Sequence, residues 1–177
     1  KHTIVLEAGR EFHTNHGAVK HDDLIGLSEG STVASTGNMV YLALRPLLLD
    51  FVLSMPRGAA VVYPKDAAAI VGLADIFPGC VVVEAGVGSG ALSCSLLRAI
   101  GSGGYLYSFE RREDFAKIAK KNVTNFFGSE PSNWQVTLGD LQDEVTALPV
   151  ASVDRVVLDM LAPWECIDAI AHVLRPG

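Results

Sequence analysis

A run opened by three β-branched apolar residues, Val81-Val82-Val83-Glu84-Ala85, stops at Gly86-Val87-Gly88-Ser89-Gly90 and passes without a break into Ala91-Leu92-Ser93-Cys94-Ser95-Leu96-Leu97, a helix-forming stretch. Few folds accommodate that order. Consecutive valines favour a strand buried on both faces, and glycines at alternate positions allow positive φ and a close approach of backbone to a ligand. The helix that begins there aims unpaired N–H groups at whatever lies above the turn. Strand, glycine turn and helix in succession mark the place where an open α/β sheet holds a nucleotide or a nucleotide-like cofactor.

The pattern repeats downstream. Gly101-Ser102-Gly103-Gly104 closes the helix, and Tyr105 to Glu110, Trp134 to Leu138 and Asp154 to Asp159 read as further strands, with a helix from Arg111 to about Phe127. Alternating β and α elements of these lengths predict a Rossmann-like, doubly wound parallel sheet of the α/β class. Right-handed crossovers then bring the strand C-termini to one edge, so the glycine turn, Glu110, Asp140 and Asp159 are expected together there. Upstream, Ala59 to Pro64 reads as a short strand, Lys65 to Val71 as a helix begun by Pro64, and Ile76-Phe77-Pro78-Gly79 as a turn.

Residues 1–56 carry a different signature. Asn15-His16-Gly17 and Gly37-Asn38 each separate strand-like runs and predict hairpins, and Pro46 precedes apolar residues Leu47, Leu48, Phe51 and Val52 at helical spacing. A small N-terminal β domain over 1–56 is therefore expected before a Rossmann-like domain over 57–177. Four histidines, His2, His13, His16 and His21, fall in this part, but without acids or cysteines at ligand spacing they read as exposed hairpin residues, and no metal site is expected.

Length and composition bound the rest. The 177 residues suit one domain plus an appendage, and with 49% apolar residues a real core can form. No apolar stretch is long enough for a bilayer span and no signal peptide opens the chain, so a cytoplasmic location is expected. Cys80, Cys94 and Cys166 lack paired spacing and read as core residues. A net charge of −6 disfavours coating nucleic acid by bulk charge. Local basic candidates remain in Arg111, Arg112, Lys117, Lys120 and Lys121 on one helix and in Lys20, Arg45 and Arg57 upstream. Both ends read as cut: no Met precedes Lys1, strand-like Thr3 to Leu6 follows at once, and Leu174 to Gly177 is a turn that should lead into another strand.

The acids at the strand ends say what the turn can hold. Glu110 lies about twenty residues beyond the glycines, where a carboxylate accepts both hydroxyls of a ribose. Asp140 can accept from an exocyclic amine such as that of adenine, and Asp159 opens Asp159-Met160-Leu161-Ala162-Pro163-Trp164 at the mouth of the cleft. The glycines themselves fit two cofactors. Gly86-x-Gly88-x-x-Ala91 satisfies a dinucleotide fingerprint as well as the Gly-x-Gly-x-Gly of methyltransferases, so a nicotinamide-dependent oxidoreductase stays open on this evidence.

Tyr63-Pro64-Lys65-Asp66, Val83 to Leu92 with its Glu84, Ser108-Phe109-Glu110 and Leu158 to Trp164 together resemble the tRNA (adenine(58)-N(1))-methyltransferases of the TrmI type, over nearly the whole chain and most of all in their actinobacterial branch. The resemblance implies S-adenosylmethionine as methyl donor, tRNA as partner and a homotetramer. It implies a donor site of Glu84, Gly86, Gly88, Ser89, Gly90, Ala91 and Leu92, with Glu110 on the ribose, Phe115 against the adenine and Asp140 with Leu141 at its amine. Asp159 and Tyr63 match positions at the methyl-transfer site, and Tyr63 or Trp164 would stack on an extruded base. Family members continue past Gly177 through further strands, so the sheet is expected to be C-terminally incomplete here. Another methyl acceptor, or a non-catalytic tRNA-binding subunit, are the competing functions; the intact glycine motif argues against the latter.

Overall fold

The first unit, Lys1–Phe51, is built on two hairpins. Strand β1 (Glu11–Thr14) pairs antiparallel with β2 (Gly17–Lys20), and β3 (Thr32–Ala34) with β4 (Val40–Leu42). Asn38 takes the left-handed φ of 62° that the second turn demands. The turn tips meet: a Cβ on Gly37 would lie 2.4 Å from the His16 carbonyl oxygen, so only glycine fits. The Tyr41 hydroxyl ties the hairpins further by donating to Thr14 Oγ1 at 3.0 Å. The computed structural model describes residues 1–176, and within them two expectations fail here. Thr3 to Leu6 forms no strand. His21 is buried, 6% exposed, with its Nδ1 accepting from the Glu7 N–H at 3.0 Å, because a short 3-10 turn folds it inward.

The second unit runs from Val52, the division falling inside α1 (Leu48–Ser54). Its elements are α2 (Pro64–Leu73), β5 (Val81–Ala85), α3 (Ala91–Ile100), β6 (Tyr105–Glu110), α4 (Glu113–Phe127), β7 (Trp134–Leu138), α5 (Leu141–Glu144), β8 (Arg155–Leu158) and α6 (Ile167–Val173). All four strands are parallel, in the order β7-β6-β5-β8. The alternation of side chains sorts the two faces. Val83 and Ala85 of β5 and Phe109 of β6 point to a core closed by Leu141, Val145, Cys166, Ile170 and Val173. Val82, Glu84, Leu106 and Ser108 take the opposite face, where α3 supplies buried Leu96, Leu97 and Ile100. Helices on both faces make the sheet doubly wound, with every strand C-terminus on one edge.

Several boundaries differ from those the sequence suggests. Ala59 to Tyr63 joins no ladder and runs extended into Pro64, which occupies the first position of α2. Arg111 and Arg112 precede α4, with Arg112 extended at its N-cap. Helices α5 and α6 carry no clear signal in the sequence, and the last described residues follow α6 through a single parallel bridge, Val153 to Leu174; Gly177 lies outside the described residues. No helix among the described residues is long and apolar enough to cross a membrane.

Candidate active site

Three glycines shape the turn after β5, each for a separable reason. Gly86, Gly88 and Gly90 have φ of 87°, 55° and 79°. At Gly86 a Cβ would stand 2.0 Å from the Asp159 carbonyl oxygen, because the end of β8 lies against the turn and the Asp159 N–H donates to the Ala85 carbonyl at 2.9 Å. At Gly90 a Cβ would be 3.2 Å from the Ala119 backbone, so α4 packs on the start of α3. At Gly88 nothing comes nearer than 3.5 Å; its N–H donates to Glu110 Oε2 at 3.0 Å. Gly90 provides no side-chain cap for α3, so the first amides of that helix keep their partial positive charge facing the cleft.

The cleft beside this turn is lined by Gly86, Val87, Gly88, Ser89, Ala91, Leu92 and Asp159, faced by Ala60, Val61 and Val62. The extended segment that fails to become a strand is thus the opposite wall. The chain leading into it is held by two buried side chains. Ser89 Oγ accepts from the Gly58 N–H at 3.2 Å and donates to the Ala59 carbonyl at 3.2 Å. Asn122, fully buried in α4, donates to the Pro56 carbonyl at 2.8 Å and to the Ser89 carbonyl at 2.9 Å. Sequence reasoning missed Asn122, although a polar residue on the apolar stripe of Ala116, Ala119 and Val123 was the available signal.

Apart from Glu84, the expected site residues divide into three groups. Gly86, Gly88, Ser89, Ala91, Leu92 and Asp159 line the cleft, and Asp159 is exposed there. Glu110 borders it, 8% exposed, its carboxylate shared between the N–H groups of Gly88 and Arg112, both at 3.0 Å. Tyr63 follows the Val62 wall directly, half exposed at the start of α2. Further along the strand edge, Phe115 packs on Gly58 and carries the Arg112 guanidinium over its ring at 3.8 Å. Asp140 caps α5 by accepting from the Gln142 N–H at 3.3 Å and forms an ion pair with Arg111. The third group faces away from the cleft. The Leu141 side chain belongs to the core, and Gly90 packs against α4.

Glu84 lies beneath the turn, fully buried. Its Oε2 accepts from the hydroxyls of Ser93 and Ser108, each at 2.7 Å, while Oε1 has no partner. Ser108 Oγ in turn accepts from the Trp134 indole N–H at 2.9 Å, which leaves its proton for Glu84. Burial pushes this carboxyl up to about 7, against the two serine hydroxyls and with help from the negative charges of Asp159 and Glu110. Cys94 is a buried thiol pushed up to about 12, so it supplies no nucleophile.

Basic residues on α4 are partly neutralised. Lys117 pairs with Glu113 at 2.7 Å, and Arg112, just before the helix, with Asp114 at 2.7 Å, while Lys120 and Lys121 stay exposed. After β8, Ala162 takes a left-handed φ of 52° and the loop leaves Leu161 and Trp164 exposed, 92% and 72%. A helix N-terminus suited to a carboxylate, a carboxylate suited to vicinal hydroxyls, and a second carboxylate at the mouth together fit a nucleoside carrying an amino-acid tail.

Comparison with known proteins agrees with that chemistry. Residues 38–177 match the family model described as tRNA methyltransferase complex GCD14 subunit, and residues 1–33 match TrmI-like N-terminal. A tRNA (adenine(58)-N(1))-methyltransferase TrmI of Thermus thermophilus is 38% identical over 98% of this chain. A Methanocaldococcus jannaschii relative described as tRNA (adenine(57)-N(1)/adenine(58)-N(1))-methyltransferase TrmI is 29% identical over 99% of this chain and 68% of its own length. The chain spans 66% of the length of the Thermus relative. Among solved structures, a SAM-dependent O-methyltransferase of Thermotoga maritima superposes with a TM-score of 0.82 at 31% identity, over 97% of this chain and 63% of that one. The tRNA (m1A58) methyltransferase TrmI of Aquifex aeolicus gives 0.74 at 28% identity, over 97% and 65%.

Proposed function

This chain belongs to the TrmI and GCD14 family of tRNA methyltransferases, and from that premise we propose that it uses S-adenosylmethionine to methylate N1 of adenine 58 in the T-loop of tRNA. The observation that carries the reading is the position of Asp159, a carboxylate set beside the glycine turn by the contact of its own backbone with Gly86. The donor fits the residues present. The open φ and missing side chain of Gly88 leave room over the turn, the N-terminus of α3 suits the methionine carboxylate, and Glu110 suits the ribose hydroxyls. When bound, S-adenosylmethionine supplies a methyl group on a cationic sulfur.

Adenine N1 carries a free lone pair at neutral pH, so the protein has no nucleophile to generate. Its task is alignment, which can lower a barrier by roughly 7–11 kcal/mol at the upper limit for oriented reactants. The wall of Ala60, Val61 and Val62, anchored just before its start by the Ser89 bonds to Gly58 and Ala59 and the Asn122 bond to Pro56, lies along one side of the cleft, and Tyr63 continues it toward the acceptor. Asp159 accepts from the exocyclic amine of the target adenine and stabilises the positive charge that grows on that ring. A T-loop adenine is stacked in folded tRNA and must be extruded to reach this depth, where Tyr63 and exposed Trp164 offer faces for stacking.

Incubation with S-adenosylmethionine and unmodified tRNA, followed by nucleoside analysis, tests the proposal. The expected product is 1-methyladenosine at position 58. Donor binding without any methylated adenine would assign the chain a different acceptor.

A further inference from the structure

Buried carboxyls usually resolve into one of two states, neutral with their proton given to an acceptor or ionised with both oxygens bonded. Glu84 has neither arrangement. The hydroxyls of Ser93 and Ser108 both reach Oε2, which favours the anion, while Oε1 is left without a donor to satisfy the anion or an acceptor to receive a proton. The position of the group gives this imbalance a consequence. Glu84 is separated from Gly86 by Ala85 alone, and its side chain lies between α3, whose first residues line the cleft, and β6, which ends at Glu110.

The groups acting on Glu84 come from the packed elements: Ser93 on α3, Ser108 and Glu110 on β6, Trp134 through Ser108 from β7, and Asp159 following β8, while the neutral thiol of Cys94 on α3 is itself raised by burial and by Glu84. The charged ones, Glu110 and Asp159, are both acids that border the cleft. A positive charge arriving in the cleft offsets their field, and a neutral ligand does not.

We infer that Glu84 is a specificity-determining residue that distinguishes the cationic methyl donor from the neutral-sulfur product, by releasing its proton when the donor binds and recovering it once the charge has left. The inference rests on the donor reading given above. The steps balance. Donor binding sends one proton from Glu84 to solvent; methyl transfer breaks the carbon–sulfur bond and forms the carbon–N1 bond, moving the positive charge from sulfur to the adenine ring; departure of the methylated base lets Glu84 take a proton from solvent. The burial that raises this carboxyl to about 7 places the exchange near neutral pH. Ionisation of Glu84 then shifts the balance of affinity away from S-adenosylhomocysteine and toward the donor.

Isothermal titration of S-adenosylmethionine and S-adenosylhomocysteine in buffers of differing ionisation heat, from pH 5.5 to 8, tests this on the wild-type protein and on Glu84→Gln. In the wild type the donor should release more protons than the product. The ratio of product to donor Kd should climb toward pH 7, by at most about tenfold per pH unit for one proton, and level off above it. In Glu84→Gln the extra climb should vanish, the titration of the ligands' own ammonium being common to both proteins. Ser93→Ala keeps the carboxyl but removes one donor to its anion, so its plateau should move to higher pH; this second variant decides the matter if Glu84→Gln fails to fold. Identical ratios and proton counts in wild type and Glu84→Gln, or an unmoved curve in Ser93→Ala, would overturn the inference and leave the donor assignment standing. Failure of both ligands to bind would overturn the donor assignment and the inference with it.

Discussion

Replacing Gly86 with alanine and, separately, Gly88 with alanine sets two changes side by side in one turn. Both positions have positive φ, so both substitutions carry the left-handed penalty of roughly 1–2 kcal/mol for an L-residue. The surroundings differ. At Gly86 the new methyl would lie 2.0 Å from the Asp159 carbonyl oxygen and 2.8 Å from its carbon, backbone atoms held by the Asp159 to Ala85 hydrogen bond and by the β5–β8 ladder. Relief requires β8 to move, at a further cost of about 1–3 kcal/mol typical of overpacking. At Gly88 the nearest atom, Ala59 Cβ, is at ordinary contact distance, 3.5 Å. Gly86→Ala should therefore lose roughly 2–5 kcal/mol of stability and Gly88→Ala only about 1–2. Urea denaturation followed by circular dichroism reads the difference as a shift in midpoint at unchanged slope. Equal losses in the two variants would refute the argument that the end of β8 is pressed against the first glycine.

Other consequences are as direct. Asn122→Ala removes both donors to the Pro56 and Ser89 carbonyls, each unsatisfied group costing about 1–3 kcal/mol, and should loosen the Ala60 to Val62 wall; a lower thermal midpoint and faster amide exchange at residues 58–62 are expected. Glu84 makes unfolding pH-dependent with a definite sign. Its folded value of about 7 stands above the reference 4.5, so the folded state binds the extra proton and stability falls as pH rises from 4.5 through 7, by up to about 3 kcal/mol, a slope that Glu84→Gln should abolish in ligand-free chemical denaturation. Glu110→Ala should weaken S-adenosylhomocysteine binding about ten- to a hundredfold in equilibrium titration, the loss of charge-assisted hydrogen bonds to a ribose.

The central strand, the glycine turn and α3 were legible because residues 81–100 encode them locally, in valines, in alternate glycines and in apolar residues at helical spacing. Glu110 and Asp159 were legible for a topological reason, since parallel strands share one C-terminal edge. What escaped depends on partners distant in sequence. Ala59 to Tyr63 has the composition of a strand, but Ser89 bonds the backbone of Ala59 at its start and Asn122 holds Pro56 just before it, contacts that no local pattern announces. Asp140 reads as a free acceptor until Arg111 is found against it, and Leu141 reads as a site residue until the core closes over its side chain. Helix α6 escaped because its buried positions, Ile170 and Val173, are few and its exposed face includes Ile167, which blurs the apolar stripe.

Asp159→Ala, measured for donor affinity and for single-turnover methyl transfer to unmodified tRNA, tests the account most directly. Asp159 meets Gly86 through its backbone, which the substitution retains, so S-adenosylhomocysteine should bind within a few-fold of wild type while methyl transfer falls by about 10²–10³. Undiminished transfer would contradict the assignment of this carboxylate to the charge that develops on the adenine.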